Sequence, residues 1–80
     1  MVIYYTKRKT SKDIAKKSNI DRVIVEPFGR WDKLYKLADN LEYVDCFVYD
    51  ETSFKGMDKG ELFNLHRELA RNNTIIMQVQ

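Results

Sequence analysis

The sequence predicts a small α/β domain: a four-stranded parallel sheet built βαβαβαβ, in strand order 2-1-3-4, with helices on its faces. Three observations lead there. The run Val44 to Tyr49, interrupted only by Asp45, is continuously apolar, which marks a strand buried on both faces. Strand-like and helix-like segments then take turns along the whole chain, and strands joined through helices lie parallel with right-handed crossovers. Finally, 80 residues with 44% hydrophobic and 12% aromatic content suit a single globular domain with one core.

Each element has its own local signal. Val2-Ile3-Tyr4-Tyr5-Thr6 is β-branched and aromatic, hence the first strand. Thr10-Ser11-Lys12-Asp13 fits a capping box and predicts a short helix from about Thr10 to Lys17, whose apolar face is only Ile14 and Ala15. Arg22 to Val25 is the second strand, and Glu26-Pro27-Phe28-Gly29 a turn. From about Arg30, Leu34, Leu37, Ala38 and Leu41 recur at helical spacing. The apolar run Val44–Tyr49 is the third strand. Asp58 with Glu61 three places on opens the last helix, carried by Leu62, Leu65 and Leu69 with Phe63 and Ala70. Asn72-Asn73 leaves it through a left-handed residue, and Thr74 to Val79 is the fourth strand.

Composition excludes several classes. One cysteine and one histidine can build neither a disulfide framework nor a Cys/His zinc site, so no metal or cofactor is expected and a reducing, cytoplasmic setting is. No apolar run approaches the ~20 residues of a membrane span. Lys7-Arg8-Lys9 follows the first apolar segment instead of preceding it, unlike a signal peptide. Charge is uneven: residues 1–22 hold seven Lys/Arg against Asp13 and Asp21, whereas residues 23–80 hold seven against ten acids. A basic end can meet phosphate or an acidic partner; more often it is a solvated helix face.

In a parallel sheet the ligand site lies beyond the carboxyl ends of the strands. There the sequence gathers Thr6, Lys7 and Arg8, then Glu26 to Arg30, then Asp50, Glu51, Thr52 and Ser53. Arg8, Glu26, Arg30, Asp50, Glu51 and Ser53 are the candidate ligand or partner residues, although loop ends are polar in any α/β domain. Asp50 does not match the phospho-acceptor of a receiver domain, whose acidic pair is replaced here by Thr6-Lys7-Arg8. The glutaredoxin-like opening lacks a following cysteine. Cys46 reads as a core residue, and His66 as a helix-boundary residue without triad partners.

The order of these features resembles the catalytic domain of the serine recombinases, the resolvase/invertase family. Arg8 falls on the arginine of the family's Tyr-x-Arg-x-Ser motif, with Thr10 or Ser11 at the nucleophile. Glu26 falls on the acidic residue ending the second strand, Arg30 on the helix-opening arginine, Asp45 on the strand-opening Asp and Ser53 on the loop Asp/Ser. Phe54 and Met57 stand where the loop arginines should be, and the chain ends before the family's dimerisation helix and DNA-binding domain. The resemblance therefore implies a trimmed, inactive relative. The expected function is a non-catalytic interaction or regulatory protein of a phage or mobile element, with a protein partner or a second copy of itself. The alternatives are a DNA-processing phosphoryl-transfer enzyme using Thr10 or Ser11 with Arg8 and Arg30, or a nucleic-acid-binding module on the basic first segment. DNA binding is expected to be weak, since no aromatic platform is interleaved with the lysines.

Overall fold

A computed structural model describes residues 1–8 and 19–79. Its strands are β1 (Val2–Thr6), β2 (Arg22–Val25), β3 (Cys46–Tyr49) and β4 (Ile75–Gln78), and its helices α1 (Asp32–Ala38) and α2 (Lys59–Arg71). The four strands form one sheet in the order β2-β1-β3-β4, with all three pairings parallel. This is the architecture the sequence predicts. The helix expected over Thr10 to Lys17 lies outside the described residues, as do Thr10 and Ser11.

Strand alternation sends Ile3, Tyr5, Ile24 and Phe47 to one face of the sheet. There they meet Leu34 and Leu37 of α1 and Leu65 and Leu69 of α2 in one hydrophobic cluster. Phe47 is fully buried and stacks with Tyr5 and Phe54 at 6.3 and 6.1 Å between ring centres. Tyr4 and Val48 are buried on the opposite face. Phe47 and Val48 are thus both buried, as a strand inside a parallel sheet requires, and Val44 is buried just ahead of the strand.

Some element boundaries differ from the sequence reading. α1 starts at Asp32 and stops at Ala38, where the Asn40 side-chain amide donates to the Lys36 carbonyl at 2.9 Å and takes an acceptor the helix end leaves free. Leu41–Tyr43 then forms a separate 3-10 turn, which Val44 closes, so β3 begins only at Cys46. Leu41 and Val44 still reach the core from this corner. On α2, Phe63 is 66% exposed under the Arg67 guanidinium, and Ala70 is exposed too. Two residues along a helix is ~200° of rotation, so Phe63 cannot share the stripe of Leu65 and Leu69. Asp58 caps α2 by accepting from the Gly60 and Glu61 amides, and Asn73 leaves it at a φ of 56°. No helix among the described residues is long and apolar enough to cross a membrane.

Candidate functional site

The carboxyl ends of β1 and β3 are brought together by their register, which sets Tyr4 beside Val48 and Tyr5 beside Tyr49. The next step along each strand places Thr6 next to Asp50. Asp50 is buried, and every hydroxyl around it is turned inward. Its Oδ2 accepts from Tyr4 Oη at 2.6 Å and from Thr6 Oγ1 at 2.5 Å. Its Oδ1 accepts from the Thr52 amide at 2.8 Å and from Thr52 Oγ1 at 2.5 Å. Ser53 Oγ donates to the Tyr5 carbonyl at 2.6 Å and accepts from the Asp50 amide at 2.9 Å, so its single proton is already placed.

These contacts set the ionisation of the group. Burial by itself pushes the Asp50 pKa up, but the bonds donated by Thr52, Thr6 and Tyr4 outweigh it and hold the carboxyl at about 2, against an ordinary 3.8. Burial, with the adjacent carboxylate, raises the Tyr4 phenol to about 12. Asp50 is therefore an anion at neutral pH, and its neighbours are neutral donors.

A second network lies on the α1 side of β1. Tyr5 Oη donates to Glu26 Oε1 at 2.7 Å and accepts from Lys7 Nζ at 2.8 Å. The Lys7 ammonium also donates to the carbonyls of Pro27, at 3.1 Å, and Arg30, and sits 3.8 Å from the centre of the Trp31 ring. An ammonium has three protons, and all three are used. Burial lowers the Lys7 pKa, and the Glu26 charge opposes that shift. Glu26 Oε2 accepts the Lys33 amide at 2.8 Å. Trp31, at the N-cap of α1, makes no side-chain cap bond, so Glu26 supplies the cap from the end of β2. Burial pushes the Glu26 pKa up, yet the Lys33 amide, the Tyr5 hydroxyl and the Lys7 charge bring it below its ordinary value.

The predicted site residues fall into three groups. Asp50 and Ser53 belong to the first network, and Glu26 to the second. Arg8 and Glu51 form an exposed ion pair with each other, beside the first network. Arg30 extends into solvent 3.7 Å from Asp32, with only its carbonyl engaged by Lys7. Thr10 and Ser11 lie outside the described residues. Phe54 and Met57, at the positions where the resemblance calls for arginines, pack against the hydrophobic cluster. His66 is exposed, and burial raises the Cys46 thiol pKa. Among the described residues, no three His, Cys, Asp or Glu side chains are placed to share a metal ion.

The sequence gathers Lys7 with Thr6 and Arg8 beyond the end of β1, and there it is 6% exposed and locked inside. Sequence reasoning missed Tyr4 and Tyr5 as the partners of the two acids. The signal was present in β1 and the residue after it, where alternation puts Tyr4 and Thr6 on one side and Tyr5 and Lys7 on the other. No buried polar side-chain atom among the described residues lacks a partner, so the two networks are closed on themselves. Their chemistry is that of a latch: they fix strand ends, a turn and a helix start.

Compared with models of protein families, with curated proteins and with solved structures, the chain has no match.

Proposed function

We propose that this chain is a small non-catalytic interaction or regulatory protein on a resolvase-like fold, acting on a protein partner in the setting of a phage or mobile element. The observation that carries the reading is the saturation of the two acids buried among the described residues: Asp50 receives four hydrogen bonds and Glu26 is spent on Tyr5 and the start of α1. A catalytic acid or base needs an oxygen free to meet substrate. Phosphoryl transfer also needs cations around the phosphate, and Phe54 and Met57 supply core packing instead. The mobile-element setting rests on the resemblance alone. The interaction role draws on the exposed apolar side chains Ile75 and Met77 on the edge strand β4 and on Phe63 of α2.

The test is incubation with supercoiled plasmid, followed by a denaturing quench and a search for nicked DNA and for DNA bound covalently to the chain. Neither is expected. An adduct abolished both by Arg8→Ala and by the double change Thr10→Ala/Ser11→Ala would replace this reading with the recombinase-type enzyme.

A further inference from the structure

β2 is one edge of the sheet, and among the described residues no strand pairs with its outer side. α1 overhangs that edge, and between them lies a cavity of about 610 Å³ lined by Arg22, Val23, Val25, Lys33, Lys36 and Tyr43 among others. Among the described residues, no carboxylate lines it. Among the described residues, none of the three cations forms an ion pair, and Lys33 Nζ spends one proton on the Val25 carbonyl at 3.2 Å.

An unpaired strand edge offers backbone donors and acceptors to an added strand. From these observations we infer that the β2 edge takes an extended acidic segment of a partner protein as a fifth strand, with carboxylates at alternate positions. The alternation follows from the pleat. Arg22 points to the same face as Ile24, which packs under α1, whereas Val23 and Val25 point to the other face. Side chains of the added strand that project towards α1 therefore meet Arg22, Lys33 and Lys36. Those in between lie beside Val23 and Val25 and are apolar. Alternate residues of a strand are about 6.7 Å apart. Lys33 and Lys36 are separated by about 4.5 Å along the helix axis, on stems long enough to close the difference. A carboxylate is also a stronger acceptor for Lys33 than the Val25 carbonyl it now holds.

This inference rests on the interaction-protein reading, and its test keeps the two apart. Full-length protein is titrated into a fluorescein-labelled peptide of alternating glutamate and valine, with an alternating lysine–valine peptide as control, at low and high salt. Amide hydrogen exchange then locates the contact. The expected results are binding of the glutamate peptide only, weaker at high salt, with new protection at Arg22 to Val25. Lys33→Glu/Lys36→Glu should weaken binding by about tenfold or more. Lys33→Gln/Lys36→Gln, which removes the charges but keeps helix-forming side chains, should weaken it in the same direction, so that the loss does not depend on whether the reversed charges impair folding. Absence of binding, equal binding of both peptides, or protection at β4 instead of β2 would overturn the inference. So would a duplex DNA oligonucleotide that competes for the groove, or self-association through this edge lost in the double variant. The plasmid assay on the same preparation separates the failures: a covalent adduct removes the interaction-protein reading, while a silent peptide removes only the groove.

Discussion

Asp50 shows how a buried charge becomes a structural part. Taking a carboxylate out of water is expensive, and four donated hydrogen bonds offset the cost. Because its pKa falls from 3.8 in the unfolded chain to about 2 in the fold, its stabilisation is present above 3.8 and is lost as the pH falls through about 2. The shift corresponds to about 2 kcal/mol. Glu26 is lowered as well and acts with the same sign. Acid unfolding followed by circular dichroism should show this loss. In Asp50→Asn one oxygen must serve donors that now share two, and its amide protons face hydroxyls already donating. That change should cost about 2–4 kcal/mol at neutral pH and flatten the part of the acid limb that Asp50 contributes. A variant as stable as the parent, with an unchanged acid limb, would show that the network carries no weight.

At the scale of elements, Glu26 joins three of them. It ends β2, caps α1 and holds the Tyr5 hydroxyl of β1, while Lys7 clamps the Pro27 and Arg30 carbonyls of the intervening turn. Gly29, at a φ of 82°, lets that turn close where a side chain would be strained. A seven-residue helix is too short to stand on its own propensity, so α1 depends on this cap and on the burial of Leu34 and Leu37. Glu26→Ala should therefore cost about 2–3 kcal/mol in urea unfolding, combining a lost cap with an uncompensated Lys7 charge. Glu26→Gln, which keeps an oxygen for the Lys33 amide, should cost less. An alanine variant within about 0.5 kcal/mol of the parent would mean that α1 is held by its leucines alone. The helix itself was legible in the spacing of Leu34, Leu37 and Ala38, because periodicity is written locally. Its cap was not, because Glu26 lies outside the helix and reads equally well as a site residue.

For the whole molecule, topology was the most legible layer and the site the least, for one physical reason. Strand order follows from alternating segments and the handedness of crossovers, both visible along the chain. The partners in the site are far apart in sequence, as Thr6 and Asp50 are, and meet only through the β1–β3 register. Charge shows the same division. The excess of Lys and Arg in residues 1–22 suggests a phosphate-binding surface, but Lys7 is consumed internally and Arg8 is paired with Glu51. Duplex DNA affinity scales with the number of phosphates neutralised, losing about 0.9 in log-log slope against salt for each one withdrawn. With two of its cations engaged, the basic segment should bind duplex DNA no tighter than the non-specific micromolar range at physiological salt, without sequence preference. Lys7→Met should leave even that weak binding unchanged while lowering stability, because its ammonium holds protein atoms. The check is fluorescence anisotropy on two unrelated duplexes across a salt series, with thermal melts of parent and variant alongside. A nanomolar, sequence-preferring complex, or a Lys7→Met protein that loses DNA affinity at unchanged stability, would move the basic segment from structure to recognition.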